Sequence, residues 1–594
     1  MREGFPRRTR FAPELAIVWF VCAAGCSGSI TAPGDGKGSP SSAQSGGSSS
    51  GGSSSAGRAG SSGKAAGGSG STTAGTGGQT AGSGSSGESA GPPPNALESV
   101  ARRLTRSGID ATVRDVLGDT AAPAARVLAE DEFNPFDNDY TLQRASRALI
   151  DSLEAFAEDT ALRAVSEANR ERVVPCTPAD AGDVGCFTQT IESLGQRLFR
   201  RPLGEEEVEA YLGLQAFATE EVPGVDNDFY TGVELVIRSM LQDPEFLYRI
   251  EIGTPDDDPT VLRLDGYELA TRLSFLLWGS TPDDPLLDAA AEGALAGGSG
   301  RREHAERLLE DERARNALHR FHAMWLGYRS IPHDADLTAA FDLETSRLID
   351  RVIFDEPSSY LDLFLSPETY LNDRLAEHYG LPAPAGGEGW VSYGSSGRAG
   401  ILSHGSVLAG FSKFSDTSPT QRGIFVQTRL LCNRVEPAPA NVNVDQPPMG
   451  GDDAVCKFDR YVEHRASPSC AGCHSEIDPI GFGLEAYDVG GRFRTSDEGH
   501  PECEISGEGE LPGYGTFNGP GELAERLVES GEITGCFVQH LLTYAIGRPL
   551  RANEASVVAE LGTDFAGKDY AARELLLDYV ASDRFALRRE EPVP

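Results

Sequence analysis

The chain has 594 residues, of which 39% are hydrophobic, so it is long enough to form several folded domains with apolar cores. Its formal net charge of −38 argues against a nucleic-acid-binding protein, because such proteins present a basic surface to phosphates. The acidic composition fits an exported protein.

Residues 1–26 resemble an export signal. Four arginines within the first ten residues precede about ten mostly apolar residues, Leu15 to Ala24, which are too few to span a bilayer. Small residues then lead to Cys26, as in the lipobox of bacterial lipoproteins, where the cysteine becomes the lipidated first residue. We therefore expect a lipid anchor on Cys26 in the cell envelope, facing the periplasm or the exterior. Ordinary signal cleavage nearby is the alternative.

Residues 27–94 are dominated by Gly, Ser, Ala and Thr, a composition that cannot form an apolar core. We predict a disordered tether that holds the folded part away from the membrane. Residues 1–94 contain seven basic and four acidic residues, so the rest of the chain carries a net charge of −41.

The first part of the body shows helical periodicity. Apolar residues recur at helical spacing from Val100 to Leu117, with a break near Ser107-Gly108, and again from Leu142 to Phe156. Further along, Asp265 and Glu268 have the spacing of a capping box at the start of a helix.

Later segments alternate between loops and helices. The phrase at 417–431 predicts a helix that begins at Ser418-Pro419. Loops and short strands are expected after Thr495, and residues 522–585 read as helical again.

The most informative motif is C-x-x-C-H at Cys470, Cys473 and His474, the attachment signature of c-type haem. Two thiols one helical turn apart can form thioethers to one porphyrin edge, and the adjacent imidazole can bind the iron as its proximal ligand. With 10 histidines in the chain, a histidine directly after C-x-x-C is uncommon by chance. A disulfide between the two cysteines, or a zinc site completed by His474 and a fourth ligand, are the alternatives.

A distal iron ligand would set the function of such a haem, because a sixth ligand favours electron transfer and an open position permits peroxide or small-ligand chemistry. His464 and Met449 are equally ranked candidates. His500 and His540 are further ones, although a surface or capping role is the simpler interpretation for each of the four.

Six other cysteines of the body, an even number, predict disulfides in an oxidising compartment. Pairing of nearest neighbours would join Cys176 to Cys186, Cys432 to Cys456 and Cys503 to Cys536. Only the first pair is close enough in the sequence to be predicted, since six cysteines allow fifteen pairings.

Six phrases carry a resemblance that covers about residues 97–587. They are LTRSGIDATVRDVLG (104–118), LFRRPLGEEEVEAYL (198–212), LDGYELATRLSFLLWGSTPDDPLL (264–287), GSVLAGFSKFSDTSPTQRG (405–423), CAGCHSEIDPIGFGLEAYDVGGRFR (470–494) and LLTYAIGRPL (541–550). In this order they resemble the serial modules of planctomycete-type cytochrome-c-like secreted proteins, which are built from consecutive domains of unknown function and are also frequent in myxobacteria. The resemblance implies cytochrome character. His464 also resembles a histidine usually found at that place in the family.

We therefore predict a mainly α, multidomain helical body with a loop-rich cytochrome-c-like segment, preceded by the disordered Gly/Ser tether. The predicted domains are a helical domain at 95–165, a helical domain with a short disulfide loop at 166–255, a helical domain at 256–385, the cytochrome-c-like domain at 386–498 and a C-terminal helical domain at 499–594.

The predicted function is that of an electron-transfer or redox module with one covalent haem c. A non-enzymatic surface lipoprotein that binds a polymer or protein, with disulfides instead of haem, is one alternative. A haem-dependent oxidoreductase acting on an extracellular substrate is another. The expected partner is a redox protein or a surface polymer, and the acidic charge favours one with a basic docking patch.

Overall fold

The computed structural model describes residues 96–143, 145–221, 223, 226–413, 416–440, 442–444, 448 and 454–590. These residues belong to one compact unit of the chain, and helices dominate it, as predicted. The predicted signal segment, Cys26, the tether and Met449 lie outside the described residues. None of the described helices is long and apolar enough to cross a bilayer.

The first part of the body is a helical layer with its own core. Its elements are β1 (Leu97–Glu98), β2 (Arg102–Arg103), α1 (Arg106–Leu117), α2 (Pro123–Val127), α3 (Arg147–Ala164), α4 (Arg170–Val173), α5 (Val184–Phe199), α6 (Glu205–Leu212), α7 (Ala216–Thr219), α8 (Phe229–Met240), α9 (Pro244–Leu247) and β3 (Tyr248–Arg249). The apolar faces of α1, α3, α5 and α8 meet in one buried cluster.

The prediction of a helix from Val100 to Leu117 is wrong in two respects. The first residues are not helical, and the helix has no break near Ser107-Gly108. Residues Arg102 and Arg103 form a strand that pairs with β3, so the helix starts only at Arg106. The Thr105 hydroxyl caps it by accepting the Gly108 N–H, which places Gly108 inside the first turn. A long-range strand pairing has overridden the local period.

The central part packs against a second, larger core. Its elements are β4 (Thr254–Pro255), β5 (Val261–Arg263), α10 (Gly266–Leu277), α11 (Asp284–Ala291), α12 (Gly298–Leu309), α13 (Glu312–Trp325), α14 (Ala335–Asp350), α15 (Asp362–Leu365), β6 (Glu368–Asn372), α16 (Asp373–Tyr379) and β7 (Glu388–Ser392). The predicted capping box of α10 is confirmed, since Asp265 accepts the Glu268 N–H and the Glu268 side chain accepts the Asp265 N–H.

The last part contains the C-x-x-C-H motif and returns to the start of the chain. Its elements are α17 (Gly405–Gly410), β8 (Ser412–Lys413), β9 (Asp416–Thr417), α18 (Pro419–Phe425), α19 (Lys457–Arg460), α20 (Val462–Ala466), α21 (Pro468–Phe482), β10 (Ser496–Asp497), β11 (His500–Glu504), β12 (Glu508–Leu511), β13 (Gly515–Asn518), α22 (Gly519–Ser530), α23 (Glu532–Ile546), α24 (Ala555–Gly567), α25 (Ala572–Ala581), α26 (Asp583–Ala586) and β14 (Leu587–Arg589). Helix α18 begins after Ser418, as predicted, and continues as a π-helical stretch, Val426–Leu430.

Strand β14 closes the body by joining its two ends. It pairs in parallel with β1 and antiparallel with β5, in a sheet of order β1-β14-β5-β4. The larger core likewise runs from Leu97 to Ala586 and includes most helices of the last three predicted domains. The predicted domain boundaries themselves stay predictions.

Three disulfides form among the described cysteines, and two of them connect distant parts of the body. Cys176 bonds to Cys186, as predicted, but the pairing of nearest neighbours is wrong for the other four cysteines. The remaining two disulfides are Cys432–Cys536 and Cys456–Cys503. The fold brings the end of the π-helical stretch beside α23, so spatial rather than sequence proximity decides the partners. Disulfides of this kind indicate an extracytoplasmic protein.

Candidate functional site

Helix α21 presents the C-x-x-C-H motif in its first two turns. Pro468 occupies the first turn, where a missing N–H costs no hydrogen bond. Cys470 and Cys473 are the free thiols among the described cysteines of the body, and Cys473 is exposed. The structure therefore leaves both motif cysteines available for covalent attachment and forms no disulfide between them.

The opposite side of α21 packs closely on α18. A Cβ atom at Gly481 would overlap the Pro419 carbonyl oxygen, and one at Gly423 would overlap the Ile477 carbonyl oxygen. The two glycines thus allow the helix backbones to touch. This close crossing fixes the direction in which the motif side chains leave α21.

Two histidines share one buried carboxylate beside the motif. The Nδ1 atom of His474, one helical turn from Asp478, lies 3.0 Å from that carboxylate. The Nδ1 atom of His464, on α20, lies 3.0 Å from its Oδ2 atom. The two imidazole rings contact each other with centroids 3.8 Å apart and planes inclined by 37°.

The Asp478 carboxylate sets the direction of the hydrogen bonds in this group. Burial alone would raise the pKa of Asp478, but hydrogen bonds from His464 and His474 outweigh it and hold the pKa below its ordinary value. An ionised carboxylate only accepts hydrogen bonds, so both Nδ1 atoms carry the proton and donate it. The Nε2 atoms are the ring nitrogens left outside these hydrogen bonds, on side chains that are 22% and 23% exposed.

A buried ionic network around Glu485 holds together the elements that carry the site. Lys457 at the start of α19 and Arg494 both contact the Glu485 carboxylate, at 3.1 and 2.9 Å. Arg422 on α18 adds an ion pair at 3.4 Å and donates to the carbonyl oxygens of Leu484 and Tyr487. These charges tie α18, α19 and the segment after α21 together, so they keep the motif helix and α20 in register.

Apolar side chains are exposed next to the motif. Phe458 is 57% exposed, with the Arg465 guanidinium 3.9 Å from its ring centroid, and Val455 and Val462 are also exposed. Phe458 packs edge-on against Phe482 at the end of α21. An apolar surface of this kind beside polar ligand atoms suits a group that is both apolar and metal-binding.

The other candidate ligands from the sequence do not join this group in the described residues. His500 is exposed and faces Glu502 at 3.1 Å. His540 is buried beside the Cys432–Cys536 disulfide, and burial lowers its pKa to about 3. Asp478, which sequence reasoning missed, is detectable only by its spacing of four residues from His474 on one helix face.

Five family models match the chain in series. They are protein of unknown function DUF1587 at residues 102–166, DUF1595 at 186–251, DUF1592 at 264–381, DUF1588 at 398–497 and DUF1585 at 515–585. The chain belongs to the planctomycete-type cytochrome-c-like family. The motif, His464 and Asp478 all lie within the DUF1588 match, whose short name, PSCyt3, marks it as the cytochrome-like module. No curated protein and no solved structure matches the chain.

The residues of this cytochrome-like module fit a c-type haem on three counts. The thiols are free, the His474 side chain is 23% exposed, and its ring is oriented through Nδ1 by a carboxylate, as in many metal sites. A porphyrin does not fit between imidazoles 3.8 Å apart, so a distal role for His464 would require the two rings to separate.

Proposed function

We propose that this protein is a redox module of the cell envelope that carries one haem c on Cys470 and Cys473, with His474 as the proximal iron ligand, and that Cys26 anchors it to the membrane. One observation carries the proposal. Six described cysteines form disulfides, whereas the two of C-x-x-C stay free one helical turn apart, beside an imidazole held by a buried carboxylate.

The residues of the chain would position the cofactor rather than supply its chemistry. Asp478 holds the His474 ring through its Nδ1 atom and so leaves the Nε2 atom as the one that would bind the iron. Thr420 donates to the Asp478 Oδ1 atom at 2.7 Å and fixes the carboxylate in turn. A c-type haem bound here supplies reversible one-electron transfer at its iron.

The net charge of the body favours a protein partner of basic character. Residues 95–594 carry a net charge of −41, which attracts a partner with a basic docking patch. The exposed Phe458, Val455 and Val462 offer an apolar contact at the motif itself. We propose that a redox partner docks on this surface; the sequence leaves a surface polymer as the other candidate.

The test is the visible spectrum of the full chain, expressed in a host with a c-type haem maturation system. We expect reduced-state bands that survive denaturation, and we expect the Cys470→Ser/Cys473→Ser double variant to lose them. The matched control is Cys176→Ser/Cys186→Ser, which removes a disulfide far along the chain and should keep the bands. A colourless wild-type protein would contradict the proposal and favour the non-enzymatic surface protein.

A second measurement separates electron transfer from substrate chemistry. Carbon monoxide should not bind to the reduced protein if a distal ligand fills the sixth position. Carbon monoxide binding together with turnover of peroxide would instead favour the haem-dependent oxidoreductase.

A metal centre without haem is the second candidate function, and a specific observation favours it. The ligand atoms of His464, His474 and Asp478 lie within 4.8 Å of one another, close enough to hold one ion. Elemental analysis of the colourless protein would distinguish it: one transition metal per chain, lost in His464→Ala but not in His500→Ala, would support the ion.

A further inference from the structure

A cavity of about 170 Å³ with both polar and apolar lining residues shares no residue with the C-x-x-C-H motif. Helix α1 begins at this cavity, and β3, α10, α13 and α23 provide its other walls. The lining residues come from four of the five matched family segments. A space assembled from so many parts of the chain depends on the complete fold.

Arginines outnumber carboxylates in the cavity lining although the body is acidic. Four arginines line it, and Asp137 is the single carboxylate among the described lining residues. Asp137 is already engaged by Arg320, which lines the cavity, and by Arg329. Two further lining arginines, Arg114 and Arg313, pair with Asp115, and Arg313 also pairs with Asp311. Three of the four lining arginines therefore have a carboxylate partner.

Arg249 is the lining arginine that has no ionic partner. It is only 8% exposed, and in the described part of the chain its side chain forms no hydrogen bond or ion pair. Its guanidinium instead lies 5.0 Å from the ring centroid of Phe275, another lining residue. Burial, together with the charge of Arg102, lowers the pKa of Arg249 well below its ordinary value.

Two neighbouring arginines have a carboxylate partner, whereas Arg249 forms no ion pair with any described residue. Arg102 and Arg272 both bind the buried carboxylate of Glu251, at contacts of 2.5 and 2.7 Å. Arg249 lies in the same region, two residues before Glu251, but that carboxylate is held by the other two arginines and acts on Arg249 only through its longer-range charge. A buried guanidinium without a counter-ion is unfavourable unless an anion enters beside it.

Other lining groups restrict what the anion can be. The Asn138 Oδ1 atom is buried without a hydrogen-bond partner, while its Nδ2 atom donates to the Tyr544 carbonyl oxygen at 2.7 Å. A hydroxyl or amine donor on the ligand would satisfy this unpaired acceptor. Leu104, Phe275 and Ala317 add apolar walls, which suit a short carbon skeleton better than an inorganic ion.

We propose that this cavity binds a small hydroxycarboxylate, whose carboxylate pairs with Arg249 and whose hydroxyl donates to the Asn138 Oδ1 atom. A guanidinium matches a carboxylate through two parallel hydrogen bonds. The N-terminus of α1, where Ser107 and Gly108 line the cavity, adds a favourable field for the negative charge.

Isothermal titration of the full chain tests the proposal with lactate, glycolate, acetate, inorganic phosphate and the neutral analogue lactamide. We expect lactate or glycolate to bind, acetate to bind at least tenfold more weakly, and lactamide to give no heat. Arg249→Gln should weaken binding at least tenfold and Asn138→Leu should remove the preference over acetate. Arg147→Gln, at a side chain 93% exposed, is the control and should change nothing.

Three results would overturn the proposal: no binding of lactate or glycolate by the wild type, binding of phosphate alone, or equal binding by Arg249→Gln. Arg249→Met adds a measurement without ligand. If the arginine serves an incoming anion, the ligand-free variant should resist urea at least as well as the wild type, because an unpaired buried charge is gone. A large loss of stability would show a purely structural role.

Discussion

Two histidine–carboxylate groups in this protein use the same residue types and reach opposite electrostatic states. Asp478 beside His464 and His474 has a pKa below its ordinary value. Glu344 on α14 is fully buried near His404, with 3.8 Å between its Oε1 atom and the His404 Nε2 atom. Burial raises the pKa of Glu344 to about 7 and lowers the pKa of His404 to about 3.

The difference comes from the donors and from access to water. Asp478 receives both imidazole Nδ1–H groups and the Thr420 hydroxyl, and the imidazoles reach the surface. Glu344 receives hydroxyls from Thr369 at 2.6 Å and Tyr379 at 2.7 Å, while the His404 Nε2 atom has no partner. Neutral hydroxyls do not replace hydration of a charge, so Glu344 is easily protonated and Asp478 is not.

The largest expected effect is that of Glu344→Gln on the pH dependence of stability. A carboxyl whose pKa rises from 4.5 to about 7 on folding binds more protons in the folded state, so wild-type stability falls as pH rises through that window. Glutamine mimics the protonated acid. The variant should match the wild type near pH 5 and have a free energy of unfolding about 3 kcal/mol higher near pH 8.5.

Urea titrations of both proteins at the two pH values measure this difference, and the contribution of His404 cancels because both proteins contain it. Glu377→Gln, an exposed change on neighbouring α16, is the control and should leave the pH profile unchanged. A variant less stable than the wild type near pH 8.5 would mean that Glu344 folds as a charged group.

The next effect is that of Asp478→Asn on the proposed haem. Asparagine accepts from only one imidazole, and removal of a buried negative charge near the iron makes its oxidised form less favourable. We expect the reduction potential to rise by roughly 60 to 120 mV. This rise corresponds to a roughly 10- to 100-fold change in the ratio of the site's affinities for ferric and ferrous iron. Potentiometric titration of the visible bands measures it.

The control for that titration is Asp459→Asn, which removes one exposed negative charge on α19 without touching the imidazoles. Equal shifts in both variants would show that overall charge, rather than the carboxylate behind His474, sets the potential.

The last comparison is between the hydroxyl donors of the two groups near pH 6, where the expected difference between the two variants is about 1 kcal/mol. Thr420→Val removes a hydrogen bond to an ionised carboxylate and should lower the free energy of unfolding by roughly 1.5–3 kcal/mol. Thr369→Val removes one to a protonated carboxyl and should cost about 1 kcal/mol. If urea titrations reverse this order, the assignment of charge to Asp478 and of a proton to Glu344 is wrong.

Much of the local structure was predictable because short-range chemistry controls it. Asp265 and Glu268 cap α10, Ser418 begins α18, and Cys176 pairs with Cys186, each through contacts between residues a few positions apart. The helix predicted through Val100 failed because Arg102 and Arg103 pair with β3, nearly 150 residues away along the chain.

The candidate sites divide in the same way. The sequence by itself determined the arrangement of Cys470, Cys473 and His474, since the three residues lie within two turns of one helix. Only the tertiary structure decided that His464 shares Asp478 with His474, that Cys432 bonds to Cys536, and that no described carboxylate forms an ion pair with Arg249. Periodicity reports which face of an element is apolar, but partners from different elements are selected by packing, and their distances follow from the whole fold.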